Sequence, residues 1–173
     1  GRVNGLEMVT VQTATVTGIA TVEWLLGTVA GTANNILEAR SGVSGGSLIV
    51  FKATALPDLA NRMIDDKTSN QQSGKVGQPL DYPIRVQIVD QFGNGVPNFP
   101  VLFTVLGEDT TKGNIDGLPE VQAMSGADGF AEVIWTLGGV PGSRNNSMRV
   151  SAKLNSVHLI NSPYIYFASA TRG

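Results

Sequence analysis

Cysteine is missing from this chain of 173 residues. That excludes a disulfide framework, a thiolate zinc site and a cysteine nucleophile together. Histidine occurs once, so Ser-His-Asp catalysis would have to run through His158. No nucleophile-elbow sequence accompanies it, and its neighbours Val157 and Leu159 mark a strand-edge or loop histidine. Charge is scarce as well: 12 Lys and Arg against 14 Asp and Glu leave a formal net charge of −2. There is no clustered basic patch of the kind that nucleic acid or an anionic membrane surface requires. No apolar run approaches the roughly 18 residues needed to span a bilayer. No basic stretch leads into an apolar one as in a signal peptide, so an export signal, if there is one, is expected outside these residues.

Glycine is plentiful, with 21 residues, and so are Thr, Val, Ser and Asn, while charged residues make up 15%. Short strands joined by tight turns suit this composition better than helices do, and the expected class is all-β. The most informative feature is an internal repeat. Gly18 to Asn35 (GIATVEWLLGTVAGTANN) returns without a gap, shifted by 111 positions, as Gly129 to Asn146 (GFAEVIWTLGGVPGSRNN), with 10 of the 18 residues identical. A period near 100 residues is the size of one small β-sandwich rather than of a short solenoid unit.

Within the repeat, Ala20, Val22, Trp24 and Leu26 fall on one face with period two, as do Ala131, Val133, Trp135 and Leu137. Each run reads as a half-buried strand ending at Gly27 or Gly138. Leu37 and Ala39 alternate with Glu38 and Arg40, as Met148, Val150, Ala152 and Leu154 alternate with Arg149, Ser151 and Lys153. A closing strand is expected over Ser47 to Ala55 and again over Pro163 to Ala170, with Ile49 and Phe51 in register with Ile165 and Phe167. The second copy alone has opening strands: Tyr82 to Asp90 with Ile84, Val86 and Ile88 inward, Phe99 to Leu106, and Glu120 to Met124. Between the first two lies Gln91-Phe92-Gly93-Asn94-Gly95-Val96-Pro97-Asn98, a turn with an Asn-Gly step. The resulting expectation is tandem sandwiches: residues 1–56 as the closing half of a domain, 57–74 as a linker with a first-strand region around Arg62-Met63-Ile64, and 75–173 as a complete domain.

Gly77-Gln78-Pro79-Leu80, Val89-Asp90-Gln91-Phe92-Gly93-Asn94-Gly95-Val96-Pro97-Asn98, Val101-Leu102-Phe103-Thr104-Val105 and Asp128-Gly129-Phe130-Ala131 followed by Trp135 resemble the group-one bacterial immunoglobulin-like domains of invasin- and intimin-type surface proteins. The resemblance covers Arg62 to Thr171, and the closing half of the same pattern covers about Gly5 to Ala55. It implies an immunoglobulin-like sandwich used in tandem outside a bacterial cell, as a stalk, filament segment or adhesive surface, and it brings no catalytic residues. The first copy departs from the pattern with Val16-Thr17-Gly18 where the family shows Asp or Asn before the glycine.

Candidate sites are few. Asp90 and Asp128 read as turn-forming carboxylates, since no second acid or histidine accompanies either in sequence. Trp24 and Trp135 sit on the alternating apolar face and read as core residues. Asp58, Asp65 and Asp66, at the junction, are the candidates for a bridging Ca²⁺, which takes six to eight oxygens. Otherwise no cofactor is expected. Tyr82, Tyr164 and Tyr166 are the candidate contact surface, the last two lying opposite Ile165 and Phe167. Asn145-Asn146-Ser147 matches the glycosylation sequon.

A half-domain with Trp24, Leu26 and Phe51 lacking a facing sheet should not be stable alone. The chain is therefore expected to begin within a domain, completed either by upstream residues or by strands from another chain in a head-to-tail polymer. The expected partners are neighbouring immunoglobulin-like domains and a host or cell-surface ligand. A non-catalytic carbohydrate-binding accessory domain of a secreted enzyme is the alternative, and it requires an exposed aromatic platform at Trp135 or at Tyr164 and Tyr166.

Overall fold

The alternation in the sequence becomes strand pairing in the computed structural model, which describes residues 1–43, 45–108 and 112–173. Among these residues there is no α-helix, and one 3-10 turn, Lys67–Ser69, is present. The chain is all-β and divides into two compact units, Gly1–Pro57 and Asp58–Gly173.

The first unit has four strands: β1 (Arg2–Val3), β2 (Trp24–Leu25), β3 (Gly31–Arg40) and β4 (Leu48–Ala55). β1 pairs antiparallel with β2, and β3 with β4. Its large apolar side chains remain mostly in solvent, including Ile36, Ile49, Val50 and Phe51 along the β3–β4 hairpin.

The second unit contains β5 (Arg62–Asp65), β6 (Gln72–Lys75), β7 (Ile84–Val89), β8 (Pro100–Leu106), β9 (Glu120–Met124), β10 (Phe130–Val133), β11 (Gly142–Leu154), β12 (Val157–His158) and β13 (Tyr164–Thr171). One sheet has the order β10-β7-β5. The other has the order β6-β13-β11-β8-β9, with β12 added on β11. Period two sends Met63, Ile84, Val86, Ile88, Ala131 and Val133 from the first sheet into the same core as Val101, Phe103, Val105, Met148, Val150 and Tyr166 from the second. Two sheets closing on one core are consistent with a β-sandwich. Burying each of the larger of these side chains contributes about 1.5–3 kcal/mol, which makes this shared core the main support of the unit.

The stretch 57–74, expected as a linker with a first-strand region around Arg62-Met63-Ile64, belongs largely to this unit, and the expected strand forms as β5. β5 pairs with β7 and β6 runs parallel to β13. The polar sequence of β6 hides this role because its burial comes from its neighbours. A Cβ at Gly74 would meet Leu80 and Leu137 at 3.2 Å.

The repeat extends further toward the amino terminus than identity alone indicates. Gly1-Arg2-Val3-Asn4-Gly5-Leu6 matches Gly113-Asn114-Ile115-Asp116-Gly117-Leu118 in sequence and in backbone. Val3 bridges Leu6 as Ile115 bridges Leu118, and Arg2 pairs with Leu25 as Asn114 pairs with Thr136. Asn4 and Asp116 share positive φ angles of 47° and 50°, followed by Gly5 and Gly117 at 81° and 83°. β3 and β4 reproduce β11 and β13 down to the register irregularity, with Gly31↔Ala55 then Asn35↔Ala53 against Gly142↔Ala170 then Asn146↔Ala168. The connection between the two strands is four residues shorter in the first copy, and β12 falls within the longer one.

A rule follows from this match. Pairs whose two halves both lie beyond Gly113 in the second copy have formed counterparts in the first, apart from that shortened connection. Pairs that need a strand from before Gly113 do not. β9 pairs with β8, and β10 pairs with β7. Their counterparts in the first copy, around residues 8–12 and 19–22, are not strands. The side chains favour extended structure in both copies, so the difference lies in the partner rather than in propensity.

Candidate functional site

Asp90 closes β7 and is fully buried. Its Oδ1 accepts from the backbone N–H groups of Phe92 at 2.8 Å and Asn94 at 2.9 Å. Its Oδ2 accepts from Asn94 Nδ2 at 2.8 Å and from the N–H of Asp58 at 2.9 Å. Burial pushes the carboxyl pKa up, but the Asn94 amide and the three backbone N–H groups together outweigh it and hold the group below the ordinary carboxylate range. Asp90 is thus a turn carboxylate, as expected. Sequence reasoning missed that it also anchors the start of the unit through Asp58. Asp128 caps its turn by accepting from the N–H of Phe130 at 3.1 Å.

The three calcium candidates do not converge. Asp58 accepts from Leu59 N–H at 2.7 Å and from Gln91 Nε2 at 2.8 Å. Asp66 caps the 3-10 turn, accepting from Thr68 N–H at 3.0 Å and Thr68 Oγ1 at 2.6 Å. Asp65 lines a surface hollow with Lys67 and Tyr164. Among the described residues no group of three or more acids or histidines is placed to hold a metal ion.

The tyrosine surface needs correction. Tyr82 is exposed, Tyr164 is half-buried, and Tyr166 has no solvent exposure. Tyr166 packs edge-on against Tyr164, ring centroids 5.0 Å apart, and donates its hydroxyl to the carbonyl of Arg85 at 3.1 Å. Burial, with the nearby Asp65 carboxylate, pushes its pKa far above the usual tyrosine value. The cause of the error is register. Met148 faces Tyr166 where Leu37 faces Phe51, so Phe51 corresponds to Tyr166 and not to Phe167. A slip of one residue moves every side chain to the opposite face. Trp135 is likewise fully buried, so neither it nor the tyrosine pair offers the flat platform that carbohydrate binding requires.

His158 is exposed on β12, with Nδ1 3.2 Å from Ser162 Oγ. That oxygen also accepts from the N–H of Ala152 at 2.8 Å, which makes the serine a tie across the β12 turn. His158, Arg149 and Lys153 border a hollow of about 400 Å³ on the outer face of the larger sheet, floored partly by Leu102 and Gln122.

The remaining surface of note is the open hairpin of the first unit. Phe51 is 49% exposed where its counterpart Tyr166 is 0% exposed, and Ile49 is 56% exposed where Tyr164 is half-buried. Ala20 and Val22 are exposed and half-buried, whereas Ala131 and Val133 belong to the core. No protein-family model matches the chain, and no curated protein matches it either.

Proposed function

We propose that this chain is a non-catalytic structural or adhesive module of a bacterial extracellular surface protein, built from immunoglobulin-like domains in tandem and serving as a stalk or filament segment. The observation that supports this reading best is the structural repeat. A whole-domain period, reproduced down to turn conformations and bulge, is how a chain builds length from rigid spacers. The Asp90 turn supports it further, because the residues that carry the resemblance are the ones that tie β7 to the domain entrance. Neighbouring domains of the same kind and a cell-surface ligand are the partners that fit.

The test is immunogold labelling of the producing bacterium with antibodies to the purified chain. Label on intact, unpermeabilised cells is the expected result. Label that appears only after permeabilisation overturns the reading.

A further inference from the structure

The hollow on the outer face of the larger sheet carries charge that the fold does not use. Arg149 and Lys153 stand on that face of β11 with Ser151 between them, and His158 on β12 is the cross-strand partner of Lys153. All three basic side chains are exposed. No carboxylate lines the hollow, and among the described residues neither Arg149 nor Lys153 pairs with one. Glu120, on the same face of β9, is held by another donor: its Oε2 accepts from Thr104 Oγ1 at 2.7 Å. With Nδ1 of His158 beside Ser162 Oγ at 3.2 Å, Nε2 is the ring nitrogen left for a ligand. In a chain of net charge −2, a row of basic groups without an acid is a local excess that attracts an anion.

The repeat separates what the sandwich needs from what this face adds. At the shift of 111 positions Arg149 corresponds to Glu38, Ser151 to Arg40 and Lys153 to Gly42. The β3–β4 hairpin keeps the pairing and the irregularity of β11–β13 with an acid where Arg149 stands, and that acid pairs with Arg40 at 3.3 Å. His158 lies in the connection that is longer in the second copy. The basic row is therefore an addition to the hairpin and not a condition for forming it.

We propose that this hollow is the docking site of an extended acidic polypeptide segment of a partner protein, lying along β11. Spacing selects the occupant. Same-face positions on a strand repeat every 6.8 Å or so, which sets Arg149 and Lys153 about 13–14 Å apart at their backbones. A single phosphate or sulfate does not span that row. An extended peptide has the same period, so an acid at every second residue brings carboxylates alongside Arg149, Ser151 and Lys153 in turn. The Arg149 guanidinium suits a carboxylate through two parallel N–H donors, and Leu102 and Pro163 give the methylene stems an apolar floor.

The inference uses the second unit alone and is independent of where the protein resides, so it and the proposed function can fail separately. The test titrates the full ¹⁵N-labelled chain with the end-blocked peptide Glu-Ser-Glu-Ser-Glu and follows the backbone amide resonances. The shifts are expected to be confined to β8, β9, β11 and β12 around the hollow. Binding is expected to weaken about threefold or more for the isomer Ser-Glu-Glu-Glu-Ser, and by a similar factor in each of Arg149→Gln and Lys153→Gln. Both positions are exposed, and an unchanged spectrum elsewhere shows that the variants fold. Lys67→Gln, which removes the same charge from another part of the unit, is expected to bind like the parent. Four results overturn the proposal: no shifts at the hollow with millimolar peptide, equal binding of the two isomers, equal weakening by Lys67→Gln, or equal binding of inorganic phosphate or of trigalacturonate, which carries its carboxylates on a sugar chain.

Discussion

Asn35 and Asn146 make the same hydrogen bond in the two units: each Oδ1 accepts from the glycine N–H eight residues earlier, Gly27 at 2.7 Å and Gly138 at 2.8 Å. Each Nδ2 donates to the asparagine before it, at 2.9 and 3.0 Å. Those asparagines in turn donate to the carbonyls of Val29 and Val140, both at 2.7 Å, and accept from Ala55 and Ala170 on the closing strands. Two amide side chains thus tie the end of the Trp strand, the following loop and the hairpin into one knot. The acceptor amide of the Asn145 sequon is a working part of that knot.

Asn146→Ala is expected to lower the stability of the second unit by about 1–3 kcal/mol, because it strands the buried N–H of Gly138. Asn35→Ala should cost less, since Gly27 is half-buried and water can replace the lost acceptor. Urea denaturation of both variants checks the order. Equal losses would contradict it.

Asp90 makes the second unit sensitive to acid. Its folded pKa lies below the unfolded value of about 3.9, so its contribution is complete above that value and is lost as pH falls through the folded pKa. Asp90→Asn places a donor where the site requires an acceptor. The variant should be clearly less stable at pH 7, and the gap should narrow as pH falls below the unfolded carboxylate value and through the lowered folded one. Denaturation midpoints at several pH values measure it; a gap independent of pH would exclude the carboxylate as the cause.

Met148 and Leu37 occupy corresponding positions, one with no exposure and the other half-buried. Met148→Ala should cost about 2–5 kcal/mol in the second unit. Leu37→Ala should cost the first unit under about 1 kcal/mol, since little transfer energy is lost from a surface that water already reaches. Local hydrogen exchange in each unit separates the two effects.

Much of this architecture was legible in the residues, and the failures have physical causes. The ends of β9 are legible because Val121 and Ala123 alternate with polar neighbours. In Tyr164-Ile165-Tyr166-Phe167 both faces are apolar, so a period of two carries no phase. Sequence alternation therefore aligns the closing strands one residue out and sets Tyr166 in solvent, where the structure buries it. The match of Gly1–Leu6 to Gly113–Leu118 rests on three identities and three exchanges, among them Val for Ile and Asn for Asp, a stretch too short for identity to reveal without the shared backbone conformation. The tie from Asp90 to Asp58 spans 32 residues and has no local signature.

Calcium should leave the fold indifferent. Asp58 commits both carboxylate oxygens and Asp66 its Oδ1 to N–H and hydroxyl donors, and among the described residues no three acids or histidines converge, so thermal midpoints in millimolar CaCl₂ and in EDTA are expected to coincide within about 1 °C. A rise of several degrees with calcium would reveal a site that these contacts do not form.

The parallel pairing of β6 with β13, Gln72 to Lys75 against Ala168 to Thr171, sets how the second unit bears load. Tension drawing the amino end of β6 away from the carboxyl end of β13 acts along both strands in opposite directions. The rungs between them are then sheared side by side and must give way together, whereas an antiparallel hairpin pulled at its open end peels one rung at a time.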